Sequence, residues 1–192
     1  ENLIAPLSGT YFGDGFASLL GKIRNSIPQK ALDYFGGLDQ VVHVRRTGVP
    51  RYTAHAETIR LLTQAINEGH SLDVTYHSLW RSDQYQTRFD PYGLVLYDAD
   101  LFVCGWSHKA NALRIFKVTR IESAALSELA FVRPEEFNLE SQFRNAFGIT
   151  QTADPPTEIV VKFTGPAAAL VQERIWHESQ RLEWLPAEDV LF

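Results

Sequence analysis

The feature that most constrains this chain is a change of hydrophobic period at Gly69. Before it, "ETIRLLTQAINEG" repeats apolar residues at helical spacing, with Ile59, Leu62, Ala65 and Ile66 in one stripe. Gly69 stands where a left-handed C-cap belongs. After it, "SLDVTYHS" alternates and places Leu72, Val74, Tyr76 and Ser78 on one face. "TRFDPYGLVLY", the turn "DAD", "LFVCGWS" and "LRIFKV" follow as further strands at short spacing. One helix feeding short strands through tight turns predicts an α+β chain built on a small antiparallel barrel or sandwich.

The flanks read differently. Residues 1–55 are expected to be irregular and helix-rich: "GFASLLGKI" carries Phe16, Leu19, Leu20 and Ile23 on one face. Pro28 suits the first turn of a short helix that Gly36-Gly37 ends, and "QVVHVRR" reads as a strand. On the other side, "RPEEFNLESQFRNAFG" is expected to be a brief helical connector, and "TADPP" a boundary, since paired prolines forbid helix and inner strand. Beyond it "TEIVVKF" alternates as a strand, "GPAAALVQERIWHES" starts a helix at Pro166, and "QRLEWLP" and "DVLF" are strand-like. The expected division is 1–55 linker, 56–137 strand-rich domain, 138–156 connector and 157–192 a small α+β extension with its last elements missing. The absence of methionine and the start at Glu1 suggest a fragment.

Composition excludes several function classes. A formal net charge of −5 argues against bulk nucleic-acid binding, which needs a strongly basic face, while allowing a local anion site. With Cys104 as the one cysteine, no internal disulfide or thiolate cluster can form, and a reducing, cytoplasmic interior is the simplest compartment. No apolar run approaches the ~20 residues that span a bilayer, so no membrane is expected as partner.

Enzyme signatures are weak. "GDGFASLLGK" fails the dinucleotide pattern because Ser18 replaces the third glycine. It fails the P-loop pattern because Ile23 stands where a Mg²⁺-binding hydroxyl is needed. It reads as a glycine-rich entry to an amphipathic helix. His43, His55, His70, His77, His108 and His177 are scattered without an i, i+4 pair, so each is read as a surface or packing residue. Cys104, between Val103 and Gly105, is read as a buried inert thiol. No catalytic residue, metal or cofactor is assigned, and a non-enzymatic role is expected.

The cations carry more. From Tyr76 to Ile121, Arg81, Arg88, Lys109, Arg114, Lys117 and Arg120 outnumber Asp83, Asp90, Asp98 and Asp100, a slightly positive segment in a negative chain. In "LRIFKVTRI", alternation places Arg114 with Phe116 on one strand face and Lys117 on the other; only a turn after Val118 brings Arg120 back. The bland reading pairs these cations with Asp98 or Asp100 at the rim. The functional reading joins Tyr76, Ser78, Arg88, Phe102, Arg114, Lys117 and Arg120 into a ligand site. Guanidinium forks and hydroxyls recognise phosphate or carboxylate, and aromatic rings stack a base.

The same residues resemble the WYL domain of bacterial transcriptional regulators. The likeness runs from "LDVTYHS" through "TRFDPYGLVLYDADLFVCGW" to "LRIFKVTRI", with Tyr76, Ser78, Arg88, Pro91, Arg114, Phe116, Arg120 and Ile121 on the family's positions. Leu101-Phe102-Val103 stands in place of the Trp-Tyr-Leu triplet, so Phe102 keeps the ring and lacks the hydroxyl. The tail, with Trp176, His177, Ser179 and Gln180 in "W-H-x-S-Q", is similar to the extension that accompanies many such domains. The resemblance implies a helical linker, a small Sm-like antiparallel β-barrel, then a ferredoxin-like βαβ extension. It also implies a homodimeric, cytoplasmic regulator that senses an anionic small molecule or oligonucleotide and meets DNA through a winged helix-turn-helix not present here. Alternative readings are a module that itself grips single-stranded nucleic acid, and a purely structural dimerisation piece.

Overall fold

In the computed structural model the described residues are 7–36, 48, 50–79, 83–150, 155–185 and 190–191, and they fall into two compact units, Glu1–Glu136 and Phe137–Phe192. The expected strand "QVVHVRR" lies outside the described residues.

The first unit opens with α1 (Tyr11–Ser26), whose N-cap Thr10 accepts from the Gly13 amide, and α2 (Gln29–Gly36), which follows Pro28. The apolar stripe expected on α1 is not a core face: Leu19 and Ile23 are exposed. A 3-10 turn at Thr53–His55 leads into α3 (Ala56–Glu68), which buries Ile59, Leu62 and Ala65. Gly69 ends α3 at φ 70°, a left-handed conformation that costs a glycine little.

Five strands follow: β1 (His70–Ser78), β2 (Asp83–Tyr97), β3 (Asp100–Ser107), β4 (Ala112–Lys117) and β5 (Ile121–Ala130). They form one antiparallel sheet in the order β4-β3-β2-β1-β5. A 3-10 turn, Val118–Arg120, joins the two edge strands β4 and β5, which supplies the bend that the sequence required after Val118. The β2–β3 hairpin turns on Asp98 and Ala99, both at positive φ. The inner face presents Leu72, Val74, Phe89, Leu101, Val103 and Phe116 to the buried stripe of α3, with Tyr52 from the preceding segment completing the core.

The sheet is strongly curled. In a flat sheet β1 and β4 stand three strand spacings apart, roughly 14 Å at ~4.8 Å each. Yet the Tyr76 and Phe116 rings stack with centroids 4.3 Å apart, and the Lys117 amide donates to Tyr76 Oη. The inner face is therefore concave. Among the described residues the ladders leave β4 and β5 as edges, so as hydrogen-bonded this is a curled sheet with two free margins rather than a closed cylinder.

The second unit contains α4 (Leu139–Phe143), capped by Asn138, and α5 (Pro166–Gln172), with Pro166 in its first turn. Its strands are two residues each: β6 (Lys162–Phe163), β7 (Glu183–Trp184) and β8 (Val190–Leu191). β8 lies between β6 and β7, antiparallel to both. The strand expected over "TEIVVKF" forms only at Lys162–Phe163, while Ile159 and Val160 remain exposed. Among the described residues no helix is long and apolar enough to cross a membrane.

Candidate functional site

Strand alternation decides which side chains meet. Cross-strand partners share a face, so Tyr76 and Ser78 on β1 look inward with Tyr85 and Thr87 on β2, Ser107 on β3, and Arg114 and Phe116 on β4. The floor is aromatic. Phe116 stacks on Tyr76, lies 4.8 Å from the Phe89 ring and meets Tyr85 edge-on at 6.3 Å.

Above that floor runs a chain of hydroxyls whose direction can be worked out. Thr87 Oγ1 gives its single hydrogen to the Arg88 carbonyl (2.7 Å), so Ser107 Oγ must donate to Thr87 (3.1 Å). Ser107 then has only lone pairs left, and Tyr85 Oη donates to it (2.8 Å). The amides of Lys109 and Ala110 also donate into this chain, to Thr87 and Ser107, and tie the β3–β4 hairpin down on β2. That fixes the start of Lys109, whose ammonium stands 4.9 Å from the centroid of the Tyr85 ring, a cation–π contact. Tyr85 Oη, its hydrogen spent, can only accept from a ligand.

The seven residues singled out from sequence divide. Tyr76, Ser78 and Arg114 share the concave face. Arg88, Phe102 and Lys117 occupy the opposite face, and Arg120 sits half-buried in the 3-10 turn beside Ile121, the register partner of Tyr76. Lys117 is neutralised by Asp100 at 2.5 Å, the rim pairing that the bland reading foresaw. Phe102 lies across from Lys117 on β3, and Arg88 bonds His108. Convergence of all seven on one hollow is therefore not what the fold builds: β-strand periodicity sends Arg88 outward and brings its neighbour Thr87 in.

Two cations remain on or over the concave face, Lys109 and Arg114. Among the described residues neither has a carboxylate partner; Arg114 Nη1 donates to the Leu113 carbonyl and its side chain is exposed. Arg120 likewise has no carboxylate partner among the described residues. Sequence reasoning missed Tyr85, Thr87 and Ser107 as site residues, although period two through Tyr85, Thr87 and Phe89 on β2 pointed the first two inward and period two from Leu101 and Val103 along β3 pointed the third. No group of ligands suited to a metal ion occurs among the described residues.

Cys104, outward on β3, is fully buried, and burial pushes its thiol up to about 11. Burial also raises Tyr52, whose Oη accepts from the Leu101 amide. In the second unit, the "W-H-x-S-Q" turn is a closed hydrogen-bonded loop: Gln180 Oε1 accepts from the amides of Trp176 and His177, and His177 Nδ1 pairs with Ser179 Oγ. An open cleft of about 640 Å³ beside it is lined by Phe147, Ile159, His177 and Arg181 among others.

Residues 57–126 match the family model described as WYL domain. Comparison with curated proteins gives no match. Among solved structures the chain is similar to proteasome accessory factor B/C (PafBC) of Arthrobacter aurescens, at 21% identity and a TM-score of 0.41. That likeness covers 76% of this chain and 22% of the other's length.

Proposed function

The chain carries a WYL domain at residues 57–126, and from that premise we infer that it is the effector-sensing part of a transcriptional regulator, taking an anionic ligand on the concave face of the curled sheet. One observation carries the reading. Among the described residues Lys109 and Arg114 have no carboxylate partner, on the face that carries the rings of Tyr76, Tyr85 and Phe116 and the hydroxyls of Thr87 and Ser107, in a chain with acids to spare. Unneutralised cations next to ring faces and hydroxyls are what a nucleotide or nucleic-acid fragment requires: charge for phosphate, rings for a base. Tyr76, Ser78 and Tyr85 are the ligand's polar and stacking contacts, Arg114 and Lys109 its counter-charges, and Arg120 an auxiliary cation reached from the 3-10 turn.

In this reading the curled sheet is an open Sm-like barrel whose edge strands β4 and β5 are joined through the turn Val118–Arg120 without pairing among the described residues, and the C-terminal β6-α5-β7-β8 unit is a ferredoxin-like extension. The ligand acts by its different affinity for two arrangements of a homodimer, and so sets the state of a DNA-binding segment elsewhere in the regulator. The test is calorimetry of the protein with a hexathymidylate and with thymidine 5′-monophosphate at two ionic strengths. The double variant Lys109→Ala, Arg114→Ala is expected to lose at least tenfold in affinity with an unchanged circular dichroism spectrum. Undiminished binding by the double variant refutes the concave site.

A further inference from the structure

Arg88 invites an ion pair that it does not make. Its register partner on β1 is Asp73, an exposed carboxylate directly across the ladder, yet no ion pair joins them. The guanidinium turns instead toward β3, where Nη2 lies 2.8 Å from His108 Nδ1. Behind His108 stands Asp90, buried at 7% exposure, with Oδ2 2.8 Å from His108 Nε2 and Oδ1 accepting from Ser71 Oγ at 2.6 Å.

The proton positions in this relay follow from the partners. A carboxylate accepts, so Nε2 carries the hydrogen; a guanidinium donates, so Nδ1 offers a lone pair. His108 is thereby a neutral imidazole in one fixed tautomer, bonded on both edges. Its backbone amide also donates to the Arg88 carbonyl (3.0 Å), so residue 108 grips residue 88 by main chain and side chain alike. The result is an exposed guanidinium with one edge committed to the protein and, among the described residues, no carboxylate partner. Holding a long side chain this way removes the ordering cost that a free arginine bears on binding.

We propose that His108 is a positioning residue that aims Arg88, through Ser71, Asp90 and its own imidazole, at a phosphoryl oxyanion on the outer face of the sheet, separate from the concave hollow. The concave reading assigns no contact to that face. The proposal rests on it only in taking the ligand to be anionic, and the two fail separately in the experiment below. A purely structural relay would pin the hairpin equally well but would leave the anion affinity of Arg88 indifferent to the chemistry of residue 108.

The test follows the Nε–H resonances of Arg88 and Arg114 by NMR in the full chain during titration with inorganic phosphate, with chloride at matched ionic strength as the control. The Arg88 signal is expected to shift saturably in the unmodified protein. His108→Gln, whose amide can donate to Asp90 and accept from Arg88, is expected to keep the response. His108→Phe is expected to weaken it at least fivefold, and His108→Asn, too short to span the gap, covers the case in which the Phe variant misfolds. The Arg114 response should be the same in all four proteins. Arg88 silent while Arg114 responds, or an Arg88 response unaltered by both disruptive substitutions, overturns the proposal and leaves the concave site standing. A responsive Arg88 with a silent Arg114 does the reverse, and silence at both sinks the two together.

Discussion

At the scale of single residues, burial governs chemistry. Cys104 has no exposed surface, and its thiol is held up to about 11 because the charged form would lose its hydration. Ellman's reagent at pH 8 is therefore expected to leave the native protein unlabelled and to label one thiol after unfolding in urea; rapid native labelling would contradict the burial. The linkage sign follows. The folded thiol titrates above the ordinary 9.0, so between 9 and 11 the unfolded state has lost the proton that the folded state keeps. The stabilising contribution is complete below pH 9 and vanishes as pH rises toward 11. The stability difference between the unmodified protein and Cys104→Ala should shrink across that window; Tyr52, raised in both proteins, cancels, while Tyr92 keeps the rise that burial and Asp90 cause and loses the part that the Cys104 thiolate adds. The inert thiol was legible in the sequence, because an isolated cysteine between Val103 and Gly105 in a strand has no neighbour to activate it. The direction of Arg88 was less so. Two adjacent polar residues, Thr87 and Arg88, compete for one inward position. The register that settles it in favour of Thr87 comes from pairing with β1 and β3, not from the strand's own composition.

At the scale of elements, α3 and the strands announced themselves because each has an uninterrupted hydrophobic period. β5 did not: in "IESAALSELA" small and polar residues alternate without a strong apolar face, and the strand is recruited by its ladder with β1. The strand expected over "TEIVVKF" is cut to two residues because among the described residues only β8 pairs with it. Propensity alone does not hold backbone donors in an unpaired ladder. Between β2 and β3 the sheet depends on a missing side chain. Gly105 lies where a Cβ would come within 2.2 Å of the Asp90 carbonyl oxygen, 2.7 Å of the Phe89 ring and 2.9 Å of Pro91 Cα. Two of those atoms are backbone of the adjacent strand, next to a register shift between Pro91 and Gly93, and cannot move without breaking the ladder. Gly105→Ala is expected to cost about 1–3 kcal/mol, the range for overpacking a tight interior. It should also disturb the Asp90–His108 pair. Urea denaturation measures the first and the His108 ring signals the second. A neutral substitution would mean that β2 and β3 are looser than the ladder implies.

At the scale of the whole molecule, the two units are held by very different amounts of core. Residues 1–136 contain a continuous buried cluster from Tyr52 through Ile59, Leu72, Phe89 and Val103 to Phe116, roofed by α3. Among the described residues the unit from Phe137 onward buries only Ala168 and Val171 against Phe163, and leaves Ile159, Val160, Leu170, Ile175 and Trp184 exposed. Its strands are two residues each, below the length at which a sheet is stable by its own ladder. So small a core contributes little against the entropy of ordering the segment. Local opening should therefore occur at far lower free energy here than in the curled sheet. Hydrogen exchange read by mass spectrometry on the full chain is expected to show peptides covering residues 162–184 exchanging more than tenfold faster than those from β1 to β3. Tenfold corresponds to about 1.4 kcal/mol in opening free energy. Adding the hexathymidylate separates two roles for this unit. If the concave ligand is sensed by the sheet alone, protection rises in β1 to β4 and leaves 162–184 unchanged. If the extension is what the ligand orders, its exchange slows with theirs. Equal protection of the two units in the free protein would show that the second is stabilised by more than the core it buries.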